Sequence, residues 1–184
     1  WQLQDNEVLD VAVPGEHILR NATLVLNVLD YLNLPHTADI LGSFPGTNRR
    51  FEKLANNLYS DYGHHPTEIA ATLQLASELS DNIILVYQPH QNTRQYEIKP
   101  LYRNAFFKAS KVYWLPTYLS REDQSLPVLR PTELIEGIEN KGDIQLADLN
   151  DDLWETIEQH RMIGHLVLCM GAGSIDVWVR SHLS

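Results

Sequence analysis

Three short segments carry most of the chemistry available to this sequence. Ser60-Asp61-Tyr62-Gly63-His64-His65-Pro66-Thr67-Glu68 places a carboxylate, a flexible glycine and two imidazoles ahead of a helix that opens at Pro66. Free backbone N–H groups and the helix dipole favour an anionic ligand at such a junction, and imidazoles there suit proton or hydrogen-bond traffic near neutral pH. A plainer reading has His65 capping the helix and Asp61 closing a turn. A metal held by His64, His65 and His90 is not expected, because adjacent histidines diverge and no carboxylate stands at a matching spacing. Gln88-Pro89-His90-Gln91-Asn92-Thr93-Arg94 follows an apolar run and ends in a guanidinium able to grip a carboxylate through two parallel hydrogen bonds. Standing alone, that arginine would be an ordinary solvated one. Met170-Gly171-Ala172-Gly173-Ser174-Ile175 looks like a phosphate cradle, but a dinucleotide fingerprint needs a third glycine and an early place in the fold. Around Ala172 and Gly173 we expect close backbone approach to a ligand or a neighbouring domain, without a nicotinamide cofactor.

Segments of this kind need a scaffold to aim them. Ile18, Leu19, Ala22, Val25, Leu26 and Leu29 keep a helical period from Glu16 to Leu32, between Pro14-Gly15 and Asn33-Leu34-Pro35. Trp1 to Val13 reads like a late strand of something larger, so the chain is expected to begin inside a longer protein. Turn formers crowd Phe44-Pro45-Gly46-Thr47-Asn48. The expected division is therefore 1–50, the end of one domain and a hinge, and 51–184, a second domain. In the second, strands are expected at 58–61, 83–88, 112–115, 144–147 and 165–170, and helices at 66–79, 98–109, 132–139, 151–160 and 175–183. Such alternation predicts an α/β fold, a Rossmann-like, mostly parallel sheet with helices on both faces, preceded by a short strand-helix remnant. Ligands then belong at the carboxyl ends of the strands, where all three segments fall.

Composition bounds the partners. With 184 residues, 43% of them hydrophobic, the chain can bury a sizeable core, and its net charge of -10 comes without any basic stripe. Nucleic acid and an anionic membrane are thus not expected as partners. Cys169, alone in the apolar run HLVLCM, cannot form an intrachain disulfide. There is no leader pattern and no apolar stretch of spanning length, and a soluble, cytoplasmic protein is expected.

Taken together, DYGHHPTEIAATL (61–73), FPGTNRRFE (44–52), VYQPHQNTR (86–94), MGAGSI (170–175) and PGEHILRNAT (14–23) resemble motifs of the Mur ligase family, in its order and spacing. The likeness is to the muramate:alanine branch and covers nearly the whole chain. It implies an ATP- and Mg2+-dependent reaction of peptidoglycan precursor synthesis. ATP phosphorylates the carboxylate of UDP-N-acetylmuramate, and the amine of a small amino acid, L-alanine in that branch, attacks the acyl phosphate. Carried over by position, Asn21 would contact adenine, Arg50 the nucleotide phosphates and Asp61 the ribose. His64 and His65 would stand where the amino acid meets the acyl phosphate, and His90 and Arg94 would hold its carboxylate. The family's asparagine after the histidine of its first motif is replaced by Ile18, and an expected arginine by Gln91, which leaves Arg94 as a single guanidinium and opens glycine or serine as substrates. The glycine-rich phosphate loop with its lysine is absent from the sequence. The chain alone is therefore expected to be inactive, its partners being the N-terminal and central domains of a parent ligase that supply the phosphate and metal ligands. Two other readings stand beside this one: a recycling ligase that joins a preformed peptide to the same sugar, and a non-catalytic nucleotide- or protein-binding α/β module.

Overall fold

The computed structural model describes residues 15–35, 39–42 and 44–183. The segment expected as a leading strand, Trp1 to Val13, lies outside them. The chain forms two compact units that divide between Thr47 and Asn48, so both Arg49 and Arg50 belong to the second.

In the first unit, α1 (Glu16–Tyr31) precedes the short α2 (Asp39–Gly42). Helix α1 starts after Gly15, whose φ of 111° favours a residue without a side chain. It closes through Asn33 at φ 52°, the left-handed conformation asparagine tolerates at a helix end. Ala22 and Leu26 are buried, with Leu19, Leu29 and Leu41 packed against them.

The second unit is built on a sheet of six strands among the described residues. They are β1 (Glu52–Ala55), β2 (Leu58–Asp61), β3 (Ile83–Tyr87), β4 (Lys111–Trp114), β5 (Ile144–Leu146) and β6 (Leu166–Met170), in spatial order β1-β2-β6-β3-β4-β5. Only β1 pairs antiparallel; every other ladder is parallel. Strand β1, with the short polar sequence EKLA, carries no periodic signal and was not anticipated. The helices are α3 (Pro66–Ser77), α4 (Asn92–Ile98) running into a 3-10 helix (Lys99–Asn104), α5 (Pro131–Ile135), α6 (Asp151–Met162) and α7 (Ile175–Ser181), with a second 3-10 turn at Lys141–Asp143.

Strands β3 and β6 are buried along their whole length, as parallel strands covered on both faces must be. Alternate residues serve opposite layers. Ile83, Leu85 and Tyr87 join Leu166, Leu168 and Met170 under α3 and the segment 98–109, while Ile84 and Val86 join Val167 and Cys169 under α6 and α7. Each such side chain removed from water contributes about 1.5–3 kcal/mol.

The helix expected at 98–109 is the one element misplaced. It begins six residues earlier, at Asn92, and tightens to a 3-10 helix from Lys99. Pro100 ends the α-helical ladder there, since it has no N–H to give, and stands in the first turn of the 3-10 helix, where no donor is needed. The early start rests on Glu122, whose carboxylate accepts from the Asn92 and Thr93 amides at 2.9 and 3.1 Å. No local pattern announces a cap that comes from thirty residues away.

Candidate functional site at the carboxyl edge of the sheet

Asp61, Met170, Tyr87 and Trp114 stand level across β2, β6, β3 and β4. All four strands therefore end at one edge. The chain runs from β2 through α3 to β3, outward to β4 and β5, and returns to place β6 between β2 and β3. A sheet whose order reverses in this way opens a crevice at the carboxyl ends. The three chemistry-bearing segments meet there.

Asp61 ends β2 and is nearly fully buried. One carboxylate oxygen accepts from the Gly63 amide at 2.6 Å and the other from the Phe51 amide at 2.8 Å. Burial raises its carboxyl above the usual range, although those two amides oppose the shift. A side chain at Gly63 would displace its neighbours, because a Cβ would lie 2.5 Å from Met170 Cε and 2.8 Å from the Asp61 carboxylate. The turn that follows holds both histidines. His65 is the N-cap of α3, its Nδ1 accepting from the Thr67 amide at 3.2 Å. Glu68 reciprocates, accepting from the His64 and His65 amides at 3.0 and 3.1 Å. Burial pulls the Glu68 carboxyl upward, but these amides, with His64 and Arg50 nearby, outweigh it and hold it low.

His64 is the residue on which the segments converge. Its Nε2 meets the Arg94 guanidinium, its Nδ1 faces the Tyr62 carbonyl at 3.2 Å, and its ring lies edge-on to His90 at 5.4 Å. A guanidinium only donates, so Nε2 must be the acceptor and the proton sits on Nδ1, directed at the Tyr62 carbonyl. His90 stacks on Tyr118 with ring centres 5.8 Å apart, and its buried Nδ1 has no hydrogen-bond partner among the described residues. Burial, then the nearby His64 and Arg94, hold its imidazole below the ordinary range. Arg94 lies in the first turn of α4, not in a loop as expected. Gln91, the N-cap of that helix, has φ 61°.

The third segment shows what its glycines are for. A Cβ on Gly171 would lie 2.7 Å from the Gln88 carbonyl, and one on Gly173 would lie 2.5 Å from Gln88 Oε1 and 2.6 Å from Tyr118 Cβ. The close approach is to Gln88 and Tyr118 of the same unit. Gln88 locks the junction further: its Oε1 accepts from the Ile175 amide at 3.0 Å and its Nε2 donates to Ser174 Oγ at 3.2 Å. Ala172, half-buried between the two glycines, shares their loop.

Of the residues expected to act together, His64, His90 and Arg94 meet directly. His65 and Asp61 flank them in the same turn, each engaged with backbone amides. Arg50 is half exposed, with Nη1 3.5 Å from Glu68 Oε1. Asn21 is exposed on α1, in the first unit. Arg49, Gln88 and Tyr118 were not anticipated. Arg49 donates to the Gly171 carbonyl at 3.1 Å, lies over the Tyr62 ring and stands 3.5 Å from the buried Asp176. A polar residue directly after five buried ones was the available signal for Gln88; nothing in the sequence separates Arg49 from Arg50. Among the described residues, no three His, Cys, Asp or Glu side chains converge where a metal ion could sit, and no helix is long and apolar enough to cross a membrane.

The comparisons bear on the family and the fold. The family described as "Mur ligase, glutamate ligase domain" matches residues 49–173. A UDP-N-acetylmuramate--L-alanine ligase of Jannaschia sp. (strain CCS1) is 31% identical over 96% of this chain and 40% of that protein. Among solved structures, the UDP-N-acetylmuramate-alanine ligase of Thermotoga maritima superposes with a TM-score of 0.65 at 23% identity, over 97% of this chain and 40% of that one. A murein peptide ligase from Psychrobacter arcticus gives 0.58 at 23% identity, over 95% and 38%. The chain thus spans about two-fifths of the length of the curated relatives it matches.

Proposed function

Because the chain belongs to the Mur ligase family, we propose that it supplies the amino-acid-positioning portion of a ligase that joins L-alanine to UDP-N-acetylmuramate through an acyl phosphate. The observation that carries the proposal is the convergence of His64, His90 and Arg94 at the carboxyl edge of the sheet. The curated relatives that match most of this chain are named for that reaction.

In this reading Arg94 grips the carboxylate of the incoming amino acid. The Arg94 guanidinium exchanges part of its contact with His64 for the ligand, and the freed Nε2 of His64 becomes an acceptor beside the amine. An amine attacks an acyl phosphate only when unprotonated, so an uncharged imidazole nitrogen next to it is suited to take its proton. His90, held low by its surroundings, offers a second neutral imidazole. His65 lines the same turn through Nε2, its Nδ1 being spent on the helix cap. Ala172 and Gly173 wall the crevice at the end of β6. Catalysis on this side of the site is positioning and charge stabilisation.

ATP is the phosphoryl donor that supplies the acyl phosphate. Arg50, exposed enough to reach phosphate oxygens, would face it, with Asp61 toward the ribose. Asp61 is the less ready of the two, since both its oxygens already accept from amides. Among the described residues, no three His, Cys, Asp or Glu side chains group to hold the magnesium that would accompany ATP. The sequence holds no glycine-rich loop with a lysine for the phosphates, so the 184 residues by themselves should not turn over ATP; the parent ligase would provide that function in the cytoplasm.

The test is amino-acid-dependent phosphate release by the ligase carrying this chain with its ATPase portion, given ATP and UDP-N-acetylmuramate, with alanine, glycine, serine or a tripeptide as acceptor. Turnover with one small amino acid, reduced at least a hundredfold by Arg94→Ala, is expected. Turnover with the tripeptide alone would move the assignment to the murein peptide branch, which the Psychrobacter arcticus structure keeps in view as a fold relative. No turnover with any acceptor would leave a non-catalytic module.

A further inference from the structure

Beneath the convergent side chains, β3, the 3-10 helix and α4 share a buried polar chain that the mechanism does not use. Tyr87, Tyr102 and Gln95 have no exposed surface. Tyr87 Oη lies 2.9 Å from the His64 carbonyl and 2.8 Å from Tyr102 Oη. Tyr102 Oη lies 2.7 Å from Gln95 Oε1, and Gln95 Nε2 donates to the His90 carbonyl at 3.0 Å. The chain runs from the backbone of one site histidine to the backbone of the other, through a core of Tyr87, Tyr102, Phe106 and Trp114 rings.

Burial keeps both phenols protonated, so each has one hydrogen to give. Three links, from the His64 carbonyl to Gln95 Oε1, must therefore share two protons. Whichever way the hydroxyls turn, one link is left without a hydrogen. With Tyr87 donating to His64 and Tyr102 to Gln95, both end acceptors are served and the two phenol oxygens face each other at 2.8 Å; an apolar core would place four rings here without burying any polar group. Ladder pairing of β3 does not need the hydroxyls either.

We propose that Tyr87, Tyr102 and Gln95 are positioning residues that hold the His64 and His90 backbones in register, and thereby fix the His64–Arg94 pair. This rests on the ligase reading for its purpose, although the linkage itself does not. Arg94 and Gln95 are adjacent on α4, so the two segments are tied twice: at the surface through Arg94 and His64, and in the core through Gln95 and the two tyrosines. The hydroxyls belong to different ends of the chain. Loss of the Tyr87 hydroxyl strips the His64 carbonyl and leaves Tyr102 free to serve Gln95. Loss of the Tyr102 hydroxyl strips Gln95 Oε1 and leaves Tyr87 committed to His64.

The experiment is nitrogen-15 NMR of the histidine rings and amide exchange in the 184-residue chain, with Tyr87→Phe, Tyr102→Phe and, as a packing control without a hydroxyl, Phe106→Leu. Tyr87→Phe is expected to erase the single-tautomer signature of His64 and to speed amide exchange at 64–67 by at least tenfold. Tyr102→Phe is expected to move the His90 ring signals and spare those of His64. Phe106→Leu should lower the unfolding midpoint and do neither. Identical shifts in all three variants, or unchanged histidine signals in Tyr87→Phe and Tyr102→Phe, would overturn the proposal. If Tyr87→Phe does not fold, Tyr102→Phe decides, and an unmoved His90 rejects the linkage. Failure of the ligase reading would show separately, in the phosphate-release assay.

Discussion

At the scale of single residues, the site is held by positions that tolerate little change. Gly173 is the clearest. An alanine there would meet Tyr118 Cβ at 2.6 Å, an atom that no change of rotamer moves. Gly173→Ala is expected to cost about 1–3 kcal/mol, as overpacking does, and urea unfolding will show it. Gln91 is the reverse case. It holds φ 61° and ψ 116°, a conformation that strains any side chain. Gln91→Gly should raise stability by about 1 kcal/mol by relieving that strain, seen as a higher urea midpoint at unchanged slope. The sequence alone exposed the types at these positions: two imidazoles, an arginine and paired glycines next to strand ends. It did not expose their partners. His65 could be a cap or an acid–base group from its spacing, and only the 3.2 Å approach of the Thr67 amide shows that it caps.

Elements were legible in proportion to how local their causes are. Helix α6 starts where its signal says, at Asn150, whose side chain accepts from the Leu153 amide at 2.9 Å. Asn150→Ala should cost about 1 kcal/mol, read by thermal or chemical unfolding, with the site histidines unaffected because the cap lies outside the crevice. Helix α3 was equally plain, with Pro66 at its first position and Glu68 closing the capping box. Helix α4 was not, since its first amides are satisfied by Glu122 from the loop after β4. Glu122→Ala is accordingly expected to fray α4 at Asn92 and Thr93. Amide exchange of that turn should accelerate while α6 keeps its protection. Strand β1 escaped notice for a related reason: its pairing with β2 and the ion pair of Glu52 with Arg180 at 2.6 Å are both tertiary.

For the molecule as a whole, buried titratable groups set the pH response. His90 and His160 are held below the ordinary imidazole value of 6.5, in both cases first by burial. An unfolded chain takes up protons there before the folded one does, so stability falls as pH drops below about 6.5. Glu68 and Asp176 are held below 4.5 and 3.8, against the pull of burial, by amides, a hydroxyl and arginines. They add a further loss as pH falls through the carboxylate range. Asp61, held above 3.8, opposes that loss. The urea midpoint at pH 5.5 should therefore lie below that at pH 7.5, and His160→Gln should flatten part of the difference. Cys169 gives an independent readout: it is buried and its thiol is pushed up to about 12. A thiol-reactive disulfide should label it only as fast as the chain opens. The sequence by itself determined that alternating apolar runs make a mostly parallel sheet, and that imidazoles, an arginine and glycines lie at strand ends, because periodicity and turn chemistry are local. Tertiary structure alone decided that β6 enters between β2 and β3, which sets Ile175 against Gln88, and that the segments following β2 and β3 meet at their carboxyl ends, which brings His64 to Arg94. Those meetings depend on strand order, and strand order is fixed by packing between residues far apart in the chain, which leaves no trace in any short stretch of sequence.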